Sequence, residues 1–347
     1  MMGDFLKEKE KIVLTQLVAS YLQHGRPVSS GHIVSSGVLT ASPATVRNIM
    51  SRLERLGYLY QPHTSAGRIP TDKGLRFYVN GLLNKCRVAS ETMPEGPAEL
   101  LPAEGNLDSL FFRASRVLAE HSHNLGFVLS PPLSKIIFHH LRFLVVGENR
   151  VLVILTTANN LVLTEIVQTE ENFSQAELDR AALYINQNFR HRNLISVRDY
   201  LVSELPRVRW SYEKLLRKLL DLLKASTSQT EKRSRIFIQG TANLLERAES
   251  FPLERLKYLF QDFEEKARLV RFLSEMISLD RVKVLIGSEA EMPDISDCSL
   301  VVSHYGYENQ VLGTVGIIGP KRIPYGEIIP LVEMVALRLS LTLRQSH

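Results

Sequence analysis

The chain has 347 residues, 44% of them hydrophobic and 23% charged, with 42 Lys plus Arg against 37 Asp plus Glu. That length predicts two or three domains at roughly 100–200 residues each, and the composition excludes a disordered chain, a collagen and a coiled-coil rod. No apolar run reaches the ~18 residues of a membrane-crossing helix, and Met1 to Lys11 has no secretory leader core. The only cysteines, Cys86 and Cys298, offer neither a disulfide framework nor a zinc site, so a reducing cytoplasm is the expected compartment.

The net charge of +5 is unevenly placed. Residues 1–90 hold five Lys and seven Arg against five acids, a net +7, which leaves −2 for the remainder. A basic module joined to a near-neutral body is the electrostatic footprint of a nucleic-acid reader with a regulatory part. It is also what a solvated basic face on an ordinary domain would give.

Ile12, Val13, Leu14, Leu17, Val18, Tyr21 and Leu22 recur at helical spacing and predict a helix over about 6–23. Gly25 and Pro27 end it. Ser29 or Ser30 can cap a short second helix that buries Ile33 and Val34. Ser42-Pro43 starts a third, with a side-chain acceptor for the free amides and a fixed φ at the first turn. Gly57 terminates that helix near Leu56. On a wheel at ~100° per residue, Val46, Ile49, Met50, Leu53 and Leu56 share one face. Ala44, Arg47, Asn48, Ser51 and Arg55 share the other, flanked by Thr45 and Arg52. A helix laid in the major groove uses such residues on base edges: Arg for guanine, Asn for adenine, Ala or a Thr methyl for thymine.

Tyr58-Leu59-Tyr60 and the stretch returning to Ile69-Pro70 predict strand, loop and strand, a wing. Its His63, Thr64, Ser65 and Arg68 suit phosphates or a neighbouring groove. Thr71 can cap a further helix carrying Leu75, Tyr78, Val79, Leu82 and Leu83. The expectation is a winged helix-turn-helix over 1–88. Such modules also bind proteins, but the polar, cationic outward face favours double-stranded DNA.

The stretch Gln61-Pro62-His63-Thr64-Ser65-Ala66-Gly67-Arg68-Ile69-Pro70-Thr71-Asp72-Lys73-Gly74 resembles the signature of the bacterial heat-inducible transcription repressor HrcA family. Ser42 to Met50 and Leu53-Glu54-Arg55-Leu56-Gly57 are similar to that family's recognition helix. Ser296 to Val301 and Gly313 to Pro320 resemble its carboxy-terminal motifs. The resemblance implies an α+β protein with a winged helix, a GAF-like domain and an inserted α/β dimerisation domain. It implies repression of chaperone operons at an inverted repeat called CIRCE, and a DNA-competent state favoured by the GroE chaperonin. The family's DNA contacts carry over to Ala44, Thr45, Arg47, Asn48, Ser51, Arg52, Arg55, His63, Thr64, Ser65 and Arg68.

Residues 89–106 are rich in Pro, Gly and Glu and read as an acidic linker that lets the DNA module move relative to the body. A helix is expected at about 107–123, then strands at Ile136–Val146, Val151–Thr157 and Leu161–Thr169 forming an antiparallel meander. Helices follow near 175–190, 196–204 and 209–225. In the last, Tyr212, Leu215, Leu216, Leu219, Leu220, Leu222 and Leu223 cover an arc of about 160°. Leu216, Leu219, Leu220 and Leu223 are the candidate dimer interface; the alternative is one helix sunk in its own domain. Arg235–Gln239 reads as a strand, with helices to about 278, a strand at 282–286, a hairpin of Leu300–Tyr305 and Gln310–Ile318, and a closing helix at about 325–343. The GAF-like unit would comprise 107–139 and 231–347, and the inserted unit 140–230.

Catalytic chemistry is not legible. Gly313-x-x-Gly316-x-x-Gly319 falls in a predicted hairpin, so it is no dinucleotide fingerprint. His121 and His123, or His139 and His140, are not spaced to share a helix face, and no Cys or carboxylate cluster completes a metal site. The expectation is a homodimeric repressor without enzyme activity, cofactor, metal or membrane partner. The rivals are a winged-helix regulator gated by a small ligand in its GAF-like domain, an RNA or chromosome-packaging protein, and an enzyme with a basic appendage. Val151 to Thr164, fourteen residues without charge or proline, would be aggregation-prone if exposed and would suit chaperone capture; buried core is the alternative.

Overall fold

The computed structural model describes residues 6–63, 66–89, 107–130, 136–156, 162–169, 172–204, 235–246, 282–290, 296–307 and 310–344. It is a mixed α/β chain whose sheets are antiparallel. The expected helices at 209–225 and between 247 and 278, the acidic stretch from residue 90 to 106, and Leu216, Leu219, Leu220 and Leu223 lie outside the described residues.

The amino-terminal module runs α1 (Glu8–His24), α2 (Ser30–Ser35), α3 (Pro43–Arg55), β1 (Leu59–Tyr60), β2 (Ile69–Pro70) and α4 (Asp72–Ala89). Its boundaries follow local chemistry. Gly25 closes α1 in the left-handed conformation, φ 71°, its amide donating to the Tyr21 carbonyl. Ser29 caps α2 by accepting from the His32 amide, and Ser42 caps α3 by accepting from Thr45. Thr71 Oγ1 accepts from the Gly74 amide and so caps α4. Beside β2, Val28 and Arg68 exchange both backbone bonds at 2.9 Å, so the segment before α2 adds a third rung to the small sheet.

The body begins with α5 (Leu107–Ser122) and β3 (Leu125–Leu129). No strand was expected between 124 and 135. All five residues of β3 are buried, so the strand lacks the alternation that announces a half-exposed one. It pairs with β7 (Ile236–Gln239) on one side and β10 (Gln310–Pro320) on the other. The helix α8 (Thr241–Glu246), β8 (Val282–Ile286) and β9 (Cys298–Tyr307) complete the unit, in a five-stranded sheet ordered β7-β3-β10-β9-β8. Helix α5 and the closing helix α9 (Tyr325–Arg344) pack on this sheet and on each other. Gly313, Gly316 and Gly319 lie within β10.

A second apolar core is built from β4 (His140–Gly147), β5 (Arg150–Thr156), β6 (Val162–Gln168), α6 (Gln175–Asn188) and α7 (Leu194–Glu204). The three strands form the expected meander. The regular strand starts at His140 rather than Ile136, because Ile137 bridges to Asn193 and Phe138 exchanges backbone bonds with the 191–192 turn instead of with β5. Leu141, Phe143, Val151, Val153, Leu155 and Val167 face this core. The edge strand β4 is shielded by side chains of α6: Asn186 bonds both the amide and carbonyl of Leu141 (2.9 and 2.8 Å), and Gln175 bonds Val145 and Phe143 (3.1 and 2.9 Å). That shielding removes a template for unwanted strand pairing.

The amino-terminal module, expected to move relative to the body, packs against it. Helix α4 lies against β8 and α9, and one apolar core runs from Val13 and Leu17 through Leu75 and Val79 to Ile328 and Val332. Polar contacts join the two parts as well, so whatever the acidic stretch does, the module is docked.

Candidate nucleic-acid interface

Helix α3 is amphipathic in the way its sequence predicts. Val46, Met50 and Leu53 are buried and Ile49 and Leu56 half-buried. At about 1.5–3 kcal/mol for each fully buried side chain, the three fix the rotation of the helix by roughly 5–9 kcal/mol. The opposite face is therefore held outward. Ala44, Thr45, Arg47, Asn48, Arg52 and Arg55 are exposed on it, and Ser51 is half-buried.

These residues fall into two groups by their partners. The side chains of Arg47, Asn48 and Arg55 make no hydrogen bond or ion pair with any described residue. Thr45 is tied to the cap, its Oγ1 3.0 Å from Ser42 Oγ. Arg52 reaches Glu10 of α1, Nε to Oε1 at 3.2 Å. Glu10 is buried, and its other oxygen accepts from the Lys7 amide at 2.9 Å. Arg52 thus neutralises a carboxylate that burial would otherwise penalise.

Arg68 in β2's lead-in departs furthest from the expectation that it reaches phosphate. Its Nε donates to Glu54 at 2.9 Å and a terminal nitrogen donates to Ser51 Oγ at 3.1 Å. The side chain is only 13% exposed. Arg68 ties the wing to α3, and Ser51 is taken up in the same contact. His63 is exposed at the start of the loop, while Thr64 and Ser65 lie outside the described residues. Gln61 Nε2 donates to the Ala66 carbonyl at 2.9 Å and closes the base of that loop.

Two features escaped the sequence pattern. Tyr60 is a 47% exposed aromatic on β1, but a two-residue strand is too short to show alternation. Lys73 caps the end of α3 from outside: its ammonium donates to the Leu56 carbonyl at 2.9 Å and sits 4.3 Å from the centre of the Tyr58 ring. No local pattern signals it, because Lys73 lies seventeen positions beyond Leu56.

The described part of the body contains two buried phenols. Tyr305 donates to the Leu129 carbonyl at 2.7 Å, and burial drives its pKa well up. Tyr325 donates to the Lys321 carbonyl at 2.9 Å and is likewise raised by burial. Among the described residues there is no group of three or more His, Cys, Asp or Glu that could hold a metal ion, and no helix long and apolar enough to cross a membrane.

Comparison with known proteins gives this architecture its class. Residues 108–329 match the family model described as HrcA protein C terminal domain. A heat-inducible transcription repressor HrcA from Geobacter sulfurreducens is 35% identical over 331 residues, covering 95% of this chain and 96% of the relative. The protein of the same name from Xanthomonas euvesicatoria pv. vesicatoria is also 35% identical, over 95% and 94%. A crystal structure of a hypothetical protein superposes with a TM-score of 0.66 at 25% identity, covering 99% of this chain and 100% of that one. These likenesses define a transcription repressor and not an enzyme. The chain belongs to the HrcA family of heat-inducible transcription repressors.

Proposed function

We propose that residues 6–89 act as a winged helix-turn-helix that lays α3 in the major groove of double-stranded DNA, and that the chain represses chaperone operons from a CIRCE inverted repeat as a homodimer in the cytoplasm. The carrying observation is the outward face of α3, where Arg47, Asn48 and Arg55 are exposed and unpaired opposite a buried Val46, Met50 and Leu53. Arg47 and Asn48 lie near the start of the helix, where base-edge recognition requires its donors. Arg52 and Arg68 then act by fixing α3 and the wing, while Arg47 and Arg55 have no ion-pair partner among the described residues. In this reading the five-stranded unit is the GAF-like domain and the β4–α7 unit is part of the inserted dimerisation domain.

Dimerisation draws support from the outer face of the three-stranded sheet. Leu144, Val162 and Ile166 are exposed there, beside half-buried Leu152 and Ile154. Leu144 is paired with Leu152, and Leu152 with Ile166, so the apolar side chains form a row across the strands. The leucines at 216, 219, 220 and 223, outside the described residues, remain part of the proposed interface. The same sheet holds the described residues of the uncharged window, 151–156 and 162–164. Its Val151, Val153 and Leu155 are core, and they would become sticky on partial unfolding. That supports capture by the GroE chaperonin, with heat releasing the chaperone genes by diverting it to other clients.

The decisive experiment uses CIRCE and random duplexes at a single salt concentration. Arg47→Ala or Asn48→Ala should weaken binding to the inverted repeat by about 1–3 kcal/mol and change random-DNA binding far less. Unchanged preference between the two duplexes refutes the assignment of α3.

A further inference from the structure

Among the described residues, the DNA-facing module and the body are joined by polar contacts that come mainly from two short stretches of the body. One is the connection between β10 and α9. Lys321 there places its ammonium 2.9 and 3.0 Å from the two carboxylate oxygens of Asp72, in the first turn of α4. Its neighbour Arg322 donates from Nε to the Leu22 carbonyl, in the last turn of α1, at 3.3 Å. The second stretch is the turn Gly287–Ala290 after β8. Glu289 in it receives the guanidinium of Arg76, with Nε to Oε1 at 2.8 Å and a terminal nitrogen on Oε2. Arg76 also donates to the Val284 carbonyl at 2.7 Å.

Each anchor is itself held. Glu289 accepts from the Ile286 amide at 2.9 Å, so its carboxylate is fixed by its own turn. The Lys321 carbonyl takes the Tyr325 phenol. Two glycines admit the close approach. A Cβ on Gly25 would collide with the Arg322 guanidinium, and one on Gly287 would collide with both Asp72 and Lys321. Both glycines have positive φ, 71° and 59°. Asp72 and Arg76 are four residues apart and therefore on one face of α4. The contacts grip the end of α1 and the start of α4 and leave the outward face of α3 untouched.

Resting on the dimeric winged-helix reading above, we infer that Asp72, Arg76, Lys321 and Arg322 are positioning residues for operator recognition: they hold each module at one angle to the body, so that the dimer accepts an inverted repeat of one spacing only. Each base pair added between half-sites rotates one of them by roughly 34° and moves it roughly 3.4 Å. A clamped pair of modules cannot follow that change, and a loosened pair can. The four residues lie off α3, so they set specificity for operator geometry without setting the sequence that α3 reads.

The test uses the full chain and five duplexes: CIRCE with its natural spacer, with one base pair added, with one removed, a single half-site, and a random sequence. Arg76→Met and Lys321→Met combined remove two cations and keep their apolar stems, while Lys321→Arg is the conservative control. The wild type should bind the altered spacers at least about tenfold more weakly than the natural one. In the double variant that ratio should fall to about threefold or less, with half-site affinity within about twofold of wild type. Lys321→Arg should keep the wild-type ratio. A double variant with normal half-site binding and an unchanged spacer ratio overturns the clamp. A wild type that binds the half-site as tightly as the repeat refutes the dimer reading instead, and one that ignores the spacer while preferring the repeat also overturns the clamp. Lost half-site binding in the double variant assigns these residues to folding of the module and likewise rejects the proposal.

Discussion

Arg68 separates a phosphate contact from an internal strut, and the two roles predict different numbers. An arginine on a phosphate releases about one counterion, so its removal should lower the salt slope of binding by about 0.9 and leave folding alone. The geometry here predicts the reverse. Arg68 donates to Glu54 and to Ser51, with Arg68 13% exposed and Glu54 33% exposed. Charge-assisted bonds contribute about 1.5–3 kcal/mol when shielded, while exposed ion pairs contribute under about 1. The partial exposure of Glu54 places this contact between those limits, at about 1–2 kcal/mol. Arg68→Met keeps the apolar stem and should destabilise the module by that amount. A double-mutant cycle with Glu54→Gln, read by thermal melting of the full chain, should return a coupling of about 1 kcal/mol or more. Hydrogen exchange at the Val28 and Arg68 amides should quicken, because their paired bonds carry the wing. Salt titration of DNA binding by the same variant should leave the slope within about 0.3 of wild type. A slope reduced by about one, with unchanged melting and no coupling, would refute this account.

Two further outcomes concern the β4–α7 unit. Burial, with the Arg190 guanidinium and the rings of His191 and His140 adding, holds His139 below the usual imidazole value of 6.5. The unfolded chain therefore binds a proton that the folded chain refuses, so the stability carried by a neutral His139 is present above pH 6.5 and is lost as pH falls below it. Melting temperature should drop on acidification, and His139→Asn should flatten that drop; a variant with wild-type acid sensitivity would count against it. The second outcome is refolding. DNA binding after dilution from denaturant should be incomplete alone and restored by chaperonin with ATP, and Thr164→Lys, at an exposed polar position of the same window, should raise the unaided yield. Full spontaneous recovery with no chaperonin effect would end the capture mechanism.

What the sequence determined by itself was local. The apolar spacing of α1, α3 and α4, the Ser42-Pro43 start and the Thr71 cap each involve residues within a few positions of one another, where helix geometry alone sets who meets whom. Turn residues and alternation placed the β4–β5–β6 meander and the long β9–β10 hairpin in the same way. Arg47, Asn48 and Arg55 were legible on the outward face of α3 because three buried neighbours on the other face determine its rotation. Tertiary structure decided what the remaining cations do. Arg52 meets Glu10 on another helix, Arg68 meets Glu54 fourteen positions away, and Arg76 meets Glu289 across 213. Charge attraction acts through space, and no periodicity records a partner brought near only by folding. The same limit hid β3, whose uniform burial erases the alternation a half-exposed strand displays. It also hid the docking of the amino-terminal module: a Pro- and Glu-rich stretch announces chain freedom at 89–106, while the contacts that dock the module are formed by Lys321, Arg322 and Glu289, each more than two hundred positions from the residue it meets.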